Sequence, residues 1–298
     1  MRRAVGLGAC VLDTIISCKT YPKEDTKMKA EGILKTGGGP VANALVVMSK
    51  LDVDACVLGA FASDSDADFL LSDFRKYGVN TDGAVRIQGT SSFVSYIAIS
   101  ESDGTRTCVF DRGSVPDEVG NLDLSVIDGA DVLHLDGNYL KSALAAAKYA
   151  RERGVKVSLD AGGLYEGIRE LLPLVDILIP SAEFARGITG DDTIEGAMMK
   201  LMAEYSPEIL VVTDGSNGGF YYSDGKILHY DTKKIKPVDT NGAGDTFHGA
   251  FISAYLHGMS VAESCAFASG VAAYKCLHKG ARDYDLNMDI AERLMSEK

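Results

Sequence analysis

No apolar run in the 298-residue chain approaches the roughly 18 residues needed to cross a bilayer, so no membrane span is expected. The apolar part of Met1-Arg2-Arg3-Ala4-Val5-Gly6-Leu7-Gly8 is too short for a secretion signal and continues as a strand. The six cysteines (Cys10, Cys18, Cys56, Cys108, Cys265 and Cys276) form no Cys-x-x-Cys pair, and the chain is not small, which argues against a disulfide framework. The five histidines show no paired spacing, so a dedicated zinc or iron site is not expected. Basic residues are in deficit, 30 against 42 acidic, and the net charge of −12 argues against nucleic-acid or anionic-membrane partners. There is no internal repeat and no low-complexity tract. What these absences leave is a reduced, cytoplasmic enzyme.

The 46% hydrophobic content is enough for a sizeable core, and the length suits one domain spanning 1–298. The residues from 5 to 12 read as one buried strand ending in Asp13. A helix is expected over 41–51, entered at a proline as helix starts prefer. A strand follows over 56–61 and a helix over 65–77, closed by Gly78. After Asp131 strands and helices alternate: strands at 132–135, 155–159, 177–179 and 210–213, helices at 140–153 and 194–205. A hairpin of 220–222 with 227–230 comes next, then helices over 246–256 and 261–277, the second opened by a Ser260/Glu263 capping box. Short apolar strands alternating with helices imply an α/β fold, a parallel sheet covered on both faces. A hairpin of 92–99 with 105–110, turning at Asp103-Gly104, fits that alternation poorly. With parts of 15–36 it is expected to form a separate small sheet, a lid contributed by about 14–36 and 91–111.

The most informative segment is Asp239-Thr240-Asn241-Gly242-Ala243-Gly244-Asp245, followed by an apolar helix. Small residues let a backbone pass close to another molecule, and a helix's first turn gathers free N–H groups and the positive dipole end. Asp245 among those donors makes more sense as a proton acceptor beside a phosphate than as a phosphate ligand. In an open α/β sheet ligands bind at the carboxyl ends of strands. Asp13, Asp136, Asp160 and the turn Thr213-Asp214-Gly215-Ser216 are all expected at that edge.

With Gly37-Gly38-Gly39-Pro40-Val41-Ala42-Asn43 about 200 residues upstream, the chain resembles the ribokinase-like (PfkB-type) carbohydrate kinases over almost its whole length. The closest branch is ketohexokinase, on Val11-Leu12-Asp13, Tyr21-Pro22-Lys23-Glu24-Asp25, Asp73-Phe74-Arg75, Arg106-Thr107 and Lys275-Cys276. Sulfofructose kinases share Phe247-His248-Gly249-Ala250, with Lys27 in register. The resemblance implies a ribokinase-like sheet sandwich with a β lid and an ATP-dependent transfer to a sugar hydroxymethyl group. It makes Asp245 the base and the amides of Gly242, Ala243 and Gly244 the oxyanion donors. Asp13, Gly38, Gly39 and Asn43, with Asp136 and Lys27, would hold the sugar. Glycines are expected at 38 and 39 because a Cβ would hold the sugar ring away. Arg106, Thr213, Asp214, Gly215, Ser216 and Gly218 would meet the nucleotide, with an adenine pocket in 272–280. ATP and Mg²⁺ are the implied cofactors, K⁺ a further candidate, and a homodimer through the lid the implied assembly.

The family's Asn-x-x-Glu element should fall on Ser181 to Phe184, where neither end matches although Glu183 is adjacent; ketohexokinase departs from the pattern similarly. Pro40 stands where ketohexokinase has a sugar-binding asparagine, a departure from that branch, and Phe110 and Asn138 stand where sulfofructose kinases bind sulfonate, which disfavours an anionic sulfosugar. With the ketohexokinase-like segments, a neutral ketohexose is favoured. Ribokinase, sulfofructose kinase and nucleoside kinase are the alternatives within the class. Outside it stand an NAD-dependent oxidoreductase, on the Gly6-Leu7-Gly8 fragment, and a non-catalytic sugar-binding module.

Overall fold

The computed structural model describes residues 2–102 and 105–296, so the expected turn at Asp103-Gly104 lies outside the described residues. The elements in chain order are β1 (Arg3–Leu7), β2 (Val11–Cys18), β3 (Gly32–Gly38), α1 (Pro40–Lys50), β4 (Asp54–Ala62), α2 (Ser65–Lys76), β5 (Asn80–Ile87), β6 (Val94–Ser100), β7 (Arg106–Asp111) and β8 (Val132–Leu135). Then follow α3 (Leu140–Glu152), β9 (Lys156–Ala161), β10 (Ile177–Pro180), α4 (Ala182–Thr189), α5 (Ile194–Tyr205), β11 (Ile209–Thr213), β12 (Gly219–Ser223), β13 (Lys226–Tyr230), α6 (Ala243–Leu256), α7 (Val261–Lys275) and α8 (Met288–Ser296).

Nine strands form one sheet in the order β13-β12-β11-β10-β9-β8-β1-β4-β5, parallel except for the antiparallel edge of β12 and β13. Strand order reverses at β1, which lies between β4 and β8, and a crevice opens outside the carboxyl ends at such a point. Apolar side chains alternate across the sheet into two cores. Ala4 and Val57 join the core under α1, α6 and α7, while Val5 and Leu58 join the one under α3, α4 and α5. Helix ends follow local chemistry. Asp64 caps α2 through the Ala67 amide, and Ser260 and Glu263 form the expected capping box of α7.

The second sheet, β3-β2-β6-β7, pairs β2 with β6 in parallel and the outer strands antiparallel. The cross-strand register divides its faces. Asp13, Ser95 and Phe110 lie on one face, while Ile33, Tyr96 and Val109 lie on the other. Those last three are 68%, 53% and 67% exposed.

The expected single strand over 5–12 is two strands. β1 stops at Leu7 and the chain enters the small sheet at Val11, so Asp13 lies inside a lid strand rather than after a core strand. The next element after β1 is thus a strand and not a helix, which removes the dinucleotide-binding reading of Gly6-Leu7-Gly8. β5, α4 and α8 were not anticipated from periodicity.

Candidate active site

The segment 239–245 folds as expected from its glycines, each for its own reason. Gly242 caps α6 with φ 75°, and a Cβ there would stand 2.7 Å from that of Ala281. Gly244 is exposed, and a Cβ added there would meet nothing within 4 Å, so the helix tip is open to a ligand. The Ala243 amide donates to the Thr240 carbonyl at 3.2 Å, so one of the three expected oxyanion donors is already engaged. Asp239 holds the loop's entry: its carboxylate accepts from the amides of Asn241 at 2.8 Å and Gly280 at 2.9 Å.

Asp245 is half-buried in the first turn of α6, and its Oδ2 accepts from the Asn43 amide at 2.6 Å. The Asn43 carbonyl accepts in turn from Arg282 Nε at 2.7 Å. Arg282, 1% exposed, also donates to Asp73 at 2.6 Å and to the Gly38 carbonyl at 3.1 Å. One buried guanidinium therefore joins the glycine run, α1, α2 and, through Asn43, the aspartate of α6. Its position is fixed by Lys50, which donates to the carbonyls of Arg282 and Tyr284, both at 2.6 Å. Arg282 was not expected from the sequence. It lies in a segment without periodicity, and only the preceding Gly280 marks a turn there.

Asp13 reaches the same place from β2. It is 7% exposed and accepts from Ser95 Oγ at 2.6 Å. Burial holds its carboxyl above the usual carboxylate range, opposed by the Ser95 bond and Arg282 and reinforced by the charge of Asp245. Asp13 lies against Gly38, whose carbonyl shares Arg282 with Asn43, the partner of Asp245, so the two carboxylates stand at one cleft. The reason for glycine at 38 differs from the expected one: a Cβ would fall 2.0 Å from Asp13 Oδ2, so the residue makes room for the acid rather than for the sugar. Gly39, with φ 98°, brings the chain against the Ala9 carbonyl, which a Cβ would meet at 2.2 Å.

Asp136, 3% exposed, is fully engaged with the protein. Oδ2 accepts from the amides of Ala9 at 2.8 Å and Val41 at 3.4 Å, and Oδ1 from the Asn138 amide and side chain at 2.9 and 3.1 Å. A carboxylate has about four acceptor sites, so Asp136 braces the start of α1 against the β1–β2 connection instead of facing a ligand. Burial raises its pKa, with the Asn138 amide opposing most. Lys27 is exposed in the connection between β2 and β3, and no contact ties it to this cluster.

A cavity of about 400 Å³ lies on the other side of the α6 tip. Thr213, Gly215, Ser216 and Gly218 line one wall, Ala243 and Gly244 the inner end, and Ala272, Ala273 and Cys276 of the expected adenine segment the far wall. Asp214 is not part of the lining: its carboxylate closes the turn on the Asn217 amide at 3.0 Å. Gly218 has φ 82°, and a Cβ would meet the Tyr230 carbonyl at 2.1 Å, so the crossing chain demands glycine there. Arg106, at the start of β7, donates to Asn241 Oδ1 at 3.1 Å and so bridges from the lid to the 239–245 loop. Lys275, wholly buried, donates to the Asp239 carbonyl at 2.8 Å, and burial lowers its pKa against the charge of Asp239.

The arrangement brings a pair of acids and a cavity to one helix tip, Asp245 from its first turn and the cavity through Ala243 and Gly244. Comparisons with known proteins give the family. The chain is 25% identical over 260 residues to the ribokinase of Staphylococcus aureus (strain COL), covering 84% of this chain and 85% of the relative. It is 27% identical over 283 residues to mouse (Mus musculus) ketohexokinase, covering 91% and 94%. The structure of Arabidopsis thaliana ribokinase complexed with ribose and ATP superposes with a TM-score of 0.87 at 25% identity, covering 100% of this chain and 99% of that one. Residues 1–287 match the model of the pfkB family carbohydrate kinases, and the chain belongs to that family of sugar-phosphorylating enzymes.

Proposed function

We propose that the protein transfers the γ-phosphoryl group of ATP to a hydroxymethyl group of a neutral sugar, with a fructose-like ketohexose favoured. The observation that carries this reading is the hydrogen-bonded path from Gly38 through Arg282 and Asn43 to Asp245, with Asp13 at its other end. Asp245 accepts the proton of the attacking hydroxyl, while Asp13, Asn43 and the backbone at Gly38 and Gly39 hold the sugar. Asp136 serves by fixing the start of α1. Phosphoryl transfer asks chiefly for in-line placement and stabilisation of the equatorial oxygens. The free amides at the α6 tip and Arg106 supply the second, and the cavity lined by Thr213, Gly215, Ser216 and Gly218 takes the nucleoside, with Asp214 shaping its turn. Among the described residues no group of three His, Cys, Asp or Glu side chains could hold a metal. Mg²⁺ would enter on the phosphates, which are hard oxygen ligands.

Phe110 on the Asp13 face and the absence of a basic residue at 138 support a neutral sugar, and the ketohexokinase-like segments support a ketose. The ribokinases among the relatives support a pentose equally well. An ADP-coupled assay over ribose, fructose, other ketohexoses, sulfofructose and nucleosides, with Mg²⁺ and with or without K⁺, decides between them. Highest kcat/KM on fructose is the expected result, and no phosphorylation of any acceptor sinks the reading. The exposed row of Ile33, Tyr96 and Val109 fits a homodimer joined through the small sheets. Light scattering should give a dimer that Val109→Lys converts to a monomer; a wild-type monomer at micromolar concentration refutes it.

A further inference from the structure

Beneath the tip of α6 lies a group of titratable side chains that the chemistry above leaves unused. His248, on α6 and 3% exposed, has Nδ1 2.7 Å from the Gly244 carbonyl oxygen and Nε2 2.9 Å from that of Ile179, on β10. Nδ1 also lies 3.3 Å from Oδ2 of Asp160, on β9. Carbonyl oxygens only accept, so a ring with one at each nitrogen satisfies both contacts only when both nitrogens carry hydrogen. Burial raises the adjacent Asp160 carboxyl to about 7 with His248 opposing, so the carboxylate that offsets this charge is complete only above that pH.

The groups facing this pair are His134 on β8, Asp245 on α6 itself and Asp136 beyond β8. The His134 ring lies 5.9 Å from that of His248 between centroids, tilted by 34°, with Nδ1 3.3 Å from Ser158 Oγ. Burial, with His248 nearby, drives its imidazole well below the usual histidine range, so it is a neutral neighbour.

The Gly244 carbonyl and the Asp245 amide belong to one peptide unit. In a trans peptide they point in opposite directions. A ring that holds the carbonyl down therefore aims the amide out of the helix tip. A charge-assisted bond at the carbonyl also polarises the peptide and strengthens the amide as a donor.

We propose that His248, held by Asp160, is a positioning residue for phosphoryl transfer: it fixes the Gly244–Asp245 peptide and places a buried positive charge behind the donor that meets the transferred group. The proposal rests on the kinase reading above. It separates from simple core packing because it predicts a loss in turnover rather than in sugar binding.

The test compares His248→Phe, His248→Asn and Asp160→Asn with the wild type, using kcat and KM for each substrate, calorimetric sugar binding without nucleotide, and melting temperature. Removing a preorganised donor costs about 100- to 1,000-fold, and a donor present but loosely aimed should cost less, about 10- to 100-fold. That fall in kcat is expected for His248→Phe with sugar affinity unchanged, and His248→Asn, which keeps an amide donor, should recover part of it. Independently of activity, ¹⁵N spectra of the wild-type chain at pH 8, where the Asp160 carboxyl is ionised, should show two protonated nitrogens on His248, and Asp160→Asn should change that state. A neutral ring in the wild type overturns the proposal, as does a folded His248→Phe enzyme with wild-type kcat or one impaired only in sugar KM. If the wild type phosphorylates no sugar, the kinase reading fails, while the nitrogen spectrum still decides the state of the ring.

Discussion

Replacing Arg282 with methionine tests whether the buried guanidinium holds the acceptor side of the cleft together. Methionine keeps most of the apolar stem but removes every donor, together with the guanidinium whose carbon lies 5.4 Å from the Phe74 ring centroid. Three acceptors lose their partner at once: Asn43 Oδ1, Asp73 Oδ2 and the Gly38 carbonyl. Breaking a buried pair by removing one member costs about 3–5 kcal/mol, because the other charge stays buried. The Asp73 side chain keeps 11% exposure and can reach some water, which places the expectation at the lower end, about 3 kcal/mol. For a domain of this size each kcal/mol moves the melting temperature by roughly 2–4 °C, so calorimetry should register a fall of about 6–12 °C. Adding Asp73→Leu should restore part of that loss, since it removes the stranded carboxylate. Turnover should fall as well, because Asn43 loses the partner that orients its amide toward Asp245. A melting temperature within about 2 °C of wild type for Arg282→Met, or strictly additive effects in the double variant, refutes the reasoning.

Asp245→Asn should retain calorimetric binding of the sugar while kcat drops by several orders of magnitude; more than a tenth of wild-type turnover counts against Asp245 as the base. Gly244→Ala adds a methyl group into open space on a helix, so it should stabilise the fold by about 0.4–1 kcal/mol while slowing transfer, and unchanged kcat places the phosphoryl group elsewhere. Burial raises the Asp160 carboxyl from 3.8 to about 7, with His248 opposing and Asp245 and Asp136 reinforcing. An acid raised in the folded state contributes stability that is whole at low pH and is lost as pH rises through the folded value. Melting temperature should therefore fall from pH 5 to 8 more steeply in the wild type than in Asp160→Asn, and parallel curves refute it.

Local chemistry was legible in part. The capping box at Ser260 follows from the sequence, whereas the cap at Gly242 does not, because the helix was expected only from 246 and begins at Ala243. The family resemblance singled out Asp13, Asn43 and Asp245, but not the contacts that join Asn43 to Asp245 and to Arg282, because Arg282 lies 239 residues beyond Asn43 and no periodicity marks it. The boundary after Leu7 was hidden because both β1 and β2 are apolar, and only the chain's change of sheet separates them. β5 was missed because its sequence, Asn80-Thr81-Asp82-Gly83-Ala84-Val85-Arg86-Ile87, is largely polar. Its Gly83 serves close approach, a Cβ there standing 2.6 Å from the Val57 carbonyl. Asp136 was correctly expected at the sheet's edge, yet position alone could not reveal that its four acceptor sites are filled.

The two carboxylates stand on different bodies: Asp13 on a strand of the small sheet, Asp245 on a helix of the large one. Only the three residues 8–10 separate β1 from β2, with Ala9 pinned by Asp136 and pressed by Gly39. So short and so pinned a joint sets how far apart the two acids stand. Lengthening it by a residue or two should therefore alter their separation without touching either side chain, which makes those three residues the place to tune the proposed site from outside it.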